Sequence, residues 1–107
     1  MSIEILGLRN CDTCRKALKA LPGAVLRDVR EQPLSADEIA ALLTEFPDKL
    51  LNRASTTWRG LSEDDRAQPA ADLLAAYPTL MKRPVLRAPG ALHIGWTPAV
   101  RAALGVE

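Results

Sequence analysis

Asn10-Cys11-Asp12-Thr13-Cys14-Arg15-Lys16 is the stretch where an apolar run stops and a helix-forming run begins, and it holds both cysteines of the chain. Ahead of it, Ser2-Ile3-Glu4-Ile5-Leu6-Gly7-Leu8 places Ile3 and Ile5 on one side of an extended chain, the pattern of a strand. Behind it, Ala17, Leu18 and Leu21 recur at helical spacing. Cys11 is therefore predicted near a helix N-terminus, where unpaired backbone N–H groups and the helix dipole favour an anion, here a thiolate. Such a position lowers a cysteine pKa and makes the sulfur a nucleophile. Cys14 follows one helical turn later, close enough to attack a sulfur carried by Cys11 and release it by forming a disulfide. The spacing marks a candidate redox or thiol-transfer centre in which Cys11 reacts before Cys14.

Other readings of the same pair stand beside this one. A zinc site needs four ligands, and the chain has no second Cys-x-x-Cys and a single histidine, His93, so the arithmetic speaks against a metal. Free cysteines also pack helix starts as small apolar residues. The polar neighbours Asn10, Asp12 and Thr13 argue against that for Cys11, whereas Cys14 could face the core without resolving anything.

The chain's 107 residues suit a single domain, residues 1–107, around one core, and a hydrophobic content of 48% is ordinary for a soluble protein. The net charge is +1 with acids and bases interspersed, so neither a nucleic-acid-binding nor a membrane-binding surface is indicated. Glu4 lies where a signal peptide would carry its basic and apolar regions, and no run approaches membrane-spanning length. A cytoplasmic monomer is expected. In that compartment most thiols are kept reduced, so a Cys-x-x-Cys is more naturally catalytic or redox-sensing than a structural staple.

Along the chain, Pro22-Gly23 ends the first helix near Leu21. Residues 24–29 then read as a second strand, and a strand, helix, strand order implies parallel, right-handed pairing. Ser35-Ala36-Asp37-Glu38 is a capping box ahead of the apolar stripe Ile39, Leu42, Leu43 and Phe46. Residues 48–82 show no convincing strand. Ser62 marks a further helix start and Pro69 is read in the first turn of another, so a helical insertion is expected over about residues 34–82. Within it, residues 52–59 are the most polar and least helix-like, a loop that either reaches the cysteines or merely connects. Val85-Leu86-Arg87 and Leu92-His93-Ile94 flank the turn Ala88-Pro89-Gly90 as a hairpin, and Thr97-Pro98 caps a closing helix. The order is βαβ, helices, then ββα.

With a Cys-x-x-Cys at the first helix start and a proline ahead of the ββα unit, this order resembles a thioredoxin-like α/β fold with a mixed four-stranded sheet. Cys11-Asp12-Thr13-Cys14-Arg15-Lys16-Ala17, Leu50-Leu51-Asn52-Arg53 with Thr56-Thr57-Trp58-Arg59, and Lys82-Arg83-Pro84-Val85 narrow it: in that order they resemble the arsenate reductase (ArsC)/Spx family, especially its small YffB-type members. The resemblance implies Cys11 as nucleophile, Arg83 as the holder of an oxyanion, and Pro84 as a cis-proline facing the cysteine. It implies a reductase that binds no cofactor, uses glutathione as co-substrate and has glutaredoxin as a partner. Asn10, Asp12, Thr13, Arg15, Arg53 and Pro84 are the candidate substrate-binding or anion-binding residues beside Cys11, Cys14 and Arg83. Two arginines of arsenate reductases are absent: Asn52 and Trp96 stand in their places, with Arg53 adjacent to the first. Arsenate is therefore expected to be a poor substrate. The cysteine pair also resembles that of Spx regulators, which would make the chain a redox switch binding the RNA polymerase α-subunit.

Overall fold

The apolar run before the cysteines forms β1 (Glu4–Gly7), followed by α1 (Asp12–Ala20) and β2 (Val25–Asp28), in a computed structural model that describes residues 2 to 106. β1 and β2 pair in parallel, with Ile5 opposite Leu26 and Gly7 opposite Asp28. Parallel neighbours cannot be joined by a tight turn, and α1 supplies the crossover. Its exit is set by Leu21 and by Gly23, whose φ of 80° suits a residue without Cβ.

After a long excursion the chain returns as the antiparallel hairpin β3 (Val85–Ala88) and β4 (Ala91–Ile94). β3 lies antiparallel against β1, so the strand order is β2-β1-β3-β4 in one mixed four-stranded sheet. The last helix starts as its sequence predicts: Thr97 Oγ1 accepts the Val100 N–H at 3.2 Å and Pro98 occupies the first turn. Ile5, Ala17, Leu21 and Leu86 form a buried cluster, with Leu26, Trp96, Val100 and Leu104 packed on it. These residues come from the sheet, from α1 and from the closing helix region, so burial of one sheet face fixes where α1 begins. Across β1 and β3, Arg87 Nε donates to Glu4 Oε1 at 2.8 Å.

The residues up to Val29 and those from Arg83 onward make one compact unit, and Arg30–Lys82 make another. In the second unit the Ser35 capping box is formed in both directions: Ser35 Oγ accepts the Glu38 N–H at 3.1 Å and Glu38 Oε1 accepts the Ser35 N–H at 2.9 Å. It opens α2 (Ala36–Glu45), which packs against α5 (Ala70–Ala76) through buried residues that include Leu42 and Leu73. Leu51 and Met81 form an isolated antiparallel bridge.

Two sequence expectations need correction in this unit. The polar stretch 52–59 is not a loop throughout, because Thr56–Arg59 is a helical turn, α3. Ser55 Oγ accepts the Trp58 N–H at 3.1 Å, so a polar residue is serving as a cap, not as a solvated link. Pro69 is the N-cap of α5 and lies just outside its first turn. The remaining helices of this unit are α4 (Glu63–Arg66) and a 3-10 turn at Pro78–Leu80.

Candidate thiol site at the start of α1

Cys11 is the N-cap of α1, with extended dihedrals φ −94° and ψ 119°. Its N–H donates to the Leu8 carbonyl at 3.2 Å, and its carbonyl accepts the Arg15 N–H at 3.0 Å. Serine, threonine or aspartate at an N-cap would satisfy a first-turn amide with a short bond to oxygen. Here the cap atom is a larger sulfur that makes no short capping bond, so the amides of the first turn act on it over a longer separation. Cys11 is half-buried and Cys14 is fully enclosed.

Arg83 brings the third group. It precedes β3, and its bond to Pro84 is cis, as the resemblance implied. The Pro84 carbonyl accepts the Gly95 N–H at 2.8 Å, and Pro84 itself is fully buried. The Arg83 guanidinium hydrogen-bonds to Cys11.

The two sulfurs are tuned in opposite directions. Burial works against a charged Cys11, but it is outweighed by the amide and thiol of Cys14 and then by the hydrogen bond and charge of Arg83, so the Cys11 thiol lies below its ordinary value. Burial pushes the Cys14 thiol up to about 12; a hydrogen bond from the Leu8 backbone is the main opposing effect, Cys11 adds to the rise as hydrogen-bond partner and neighbouring negative charge, and the charge of Arg83 opposes it least. One sulfur is prepared to be a nucleophile and the other to donate a hydrogen bond to it.

The other sequence candidates divide. Asn10, Asp12, Thr13 and Arg15 sit beside Cys11 in the chain and are exposed. Asp12 and Arg15 face each other at 3.6 Å on the helix surface, which as a solvated pair contributes little. Arg53 belongs to the Arg30–Lys82 unit, where its guanidinium lies 5.5 Å from the centre of the Trp58 ring. Among the described residues, no three of His, Cys, Asp or Glu come together as a metal-holding group.

Sequence reading passed over two residues that shape the site. Asp28, at the end of β2, is only 4% exposed, and its Oδ2 accepts the Arg9 N–H at 3.0 Å, which ties down the turn leading into Cys11. A carboxylate at the end of a strand that opens with Val25 and Leu26 was the available signal, since such groups are rarely buried without partners. Gly7 ends β1 directly beneath Cys14, and a glycine inside a strand often marks a close approach.

A sheet of order β2-β1-β3-β4 with a cysteine at a helix start, beside an arginine that precedes a cis-proline, is a thioredoxin-like arrangement. Residues 6–103 match the ArsC family. The chain belongs to the ArsC family. An uncharacterised protein of Haemophilus influenzae is 38% identical over 88% of this chain and 90% of its own length. Among solved structures, the YFFB (PA3664) protein is 29% identical and superposes with a TM-score of 0.86 over 95% of this chain and 97% of that one. An arsenate reductase (ArsC) related protein from Brucella melitensis is 37% identical, with a TM-score of 0.72 over 96% and 93% of the two chains. This ArsC-family chain thus shares its fold and most of its length with arsenate reductase-like proteins. Among its described residues, no helix is long and apolar enough to cross a membrane.

Proposed function

We propose that this chain is a thiol-dependent reductase of the arsenate reductase type, acting as a monomer in the cytoplasm, with Cys11 as nucleophile and glutathione as co-substrate. The observation that carries the reading is the setting of Cys11, whose thiol is held below its ordinary value by Cys14 and Arg83 despite burial. With a glutathione mixed disulfide as substrate, the Cys11 thiolate attacks the glutathione sulfur. The substrate's S–S bond breaks, its thiolate leaves, and Cys11 carries the glutathione. A second glutathione thiolate, or a glutaredoxin-type partner, then attacks that sulfur and Cys11 leaves as the thiolate that Arg83 stabilises.

Arsenate fits this site less well. Arginine's planar fork is the donor set suited to a multiply charged oxyanion, and two of the family's arginine positions are used otherwise here. Asn52 Oδ1 accepts the Ala54 N–H at 3.1 Å in a local turn, and Trp96 packs on the apolar cluster of the sheet. The test is an NMR titration with reduced glutathione, oxidised glutathione and arsenate. Glutathione should move the amides around Cys11, Cys14 and Arg83, and arsenate should move them only weakly. Robust glutathione-dependent arsenate turnover would overturn the arsenate half, and glutathione shifts confined to residues remote from Cys11 would overturn the rest.

The hydrogen bond between the two sulfurs supports a second reading, an Spx-type switch. On that reading, mild oxidant closes an intramolecular Cys11 to Cys14 disulfide, seen by mass spectrometry as the loss of two hydrogens, and the protein retains the polymerase α-subunit in a pull-down. Glutathionylated Cys11 with a free Cys14 as the sole oxidised product, and no retention, would leave the reductase reading alone.

A further inference from the structure

Cys14 reaches its place because β1 has no side chain at its last position. A Cβ built on Gly7 would overlap the Cys14 sulfur, while it would stand 3.4 Å from the Cys14 Cβ and 3.9 Å from Leu26 Cδ1. Of these three atoms, the sulfur is the one that could not stay where it is. Gly7 lies within β1 and has an ordinary strand conformation, since its φ is not among the positive ones, so backbone freedom is not what position 7 requires. What it requires is space for one atom.

That atom matters twice. The Cys14 thiol donates to Cys11, and its enclosure against β1 holds it in that role. An alanine at position 7 would overlap the terminal atom of the Cys14 side chain and not its Cβ, so the sulfur is the atom that must give way if the backbone of α1 stays put. The fold would then survive a change that moves the sulfur away from its partner.

We propose that Gly7 is a positioning residue for the thiol pair: its missing side chain admits the Cys14 sulfur against β1 and so fixes that sulfur beside Cys11. This rests on the reading of Cys11 as the nucleophile. It extends the active machinery to a residue that touches neither substrate nor Cys11 and acts wholly through Cys14.

The test is a cycle of four proteins: wild type, Gly7→Ala, Cys14→Ala and the double variant, each read by the pH midpoint of Cys11 alkylation with iodoacetamide. The groups facing Cys11 in every variant are Arg83 and the residue at position 14. Displacing the Cys14 sulfur removes a donor to the thiolate, so Gly7→Ala should raise the midpoint by roughly half a pH unit or more. In the Cys14→Ala background there is no sulfur to displace, so the same substitution should leave the midpoint unchanged within error. A shift of equal size in both backgrounds, or none in either, overturns the proposal, because a merely structural effect of the methyl group does not depend on sulfur at position 14. Should Gly7→Ala fail to fold, the double variant, which removes the overlapping atom, should recover the native thermal transition; failure of both overturns the proposal too. An ordinary cysteine midpoint in the wild type would instead sink the nucleophile assignment, a result distinguishable from any of these.

Discussion

Iodoacetamide at pH 8 should label Cys11 about thirtyfold faster than Cys14, or more. Cys14 sits at about 12 and Cys11 below the ordinary 9.0, so their thiolate fractions at this pH differ by roughly a thousandfold or more. The less basic thiolate is intrinsically the weaker nucleophile, and a Brønsted slope of about 0.4–0.5 returns a factor of about 15 to 30. The population effect still wins. Enclosure of Cys14, with 0% of its surface exposed, widens the gap further by denying the reagent access. Peptide mapping of partially alkylated protein reads the ratio directly. Comparable labelling of both cysteines would mean that the sulfurs are not divided between the two roles.

Arg83→Ala should weaken capture of glutathione at Cys11 roughly tenfold and raise the pH midpoint of Cys11 alkylation. A hydrogen bond to a charged group contributes about 1.5 to 3 kcal/mol. Cys11 is only half-buried, so water competes for the thiolate and the low end applies, close to the ~1.4 kcal/mol of a tenfold change. The sign follows from the charge: removing a cation that favours the thiolate makes the proton harder to lose. Arg83→Lys should recover part of the loss, because an ammonium restores the charge without the planar fork. Isothermal titration with oxidised glutathione, alongside alkylation against pH, checks both parts. Unchanged affinity and midpoint in Arg83→Ala would remove Arg83 from the mechanism.

The elements with strong local grammar were legible in the sequence. Ser35 with Glu38, Thr97 with Pro98, and Pro22 with Gly23 declare helix ends through bonds made within three residues of themselves. Period-2 and period-3.6 patterns around Cys11 located β1 and α1, and from them the thiol at the helix start. Ser55 was missed as a cap because the turn it opens, Thr56–Arg59, is too short to show a period. The contribution of Arg83 to Cys11 came through resemblance, since nothing local to Lys82-Arg83-Pro84 says which strand β3 will join. Gly7 and Asp28 escaped for the same reason. Asp28 matters through Arg9 in the loop after β1, a pairing settled only when β1 and β2 lie side by side in register, and Gly7 matters through Cys14 on the helix that packs against β1.

The unit that holds the thiol is assembled from the two ends of the chain, with Arg30–Lys82 made in between. On the ribosome Cys11 therefore emerges roughly seventy residues before Arg83, an interval of about four to fourteen seconds at ordinary elongation rates. Throughout it the sulfur lacks its cation, and β1 lacks β3 as a neighbour. The nascent thiol is correspondingly less ionised and less reactive toward passing disulfides than the finished one. A chain cut short before Arg83 never acquires the full charge environment of the site, so the thiol in its complete setting is found only in chains that have been made past that residue.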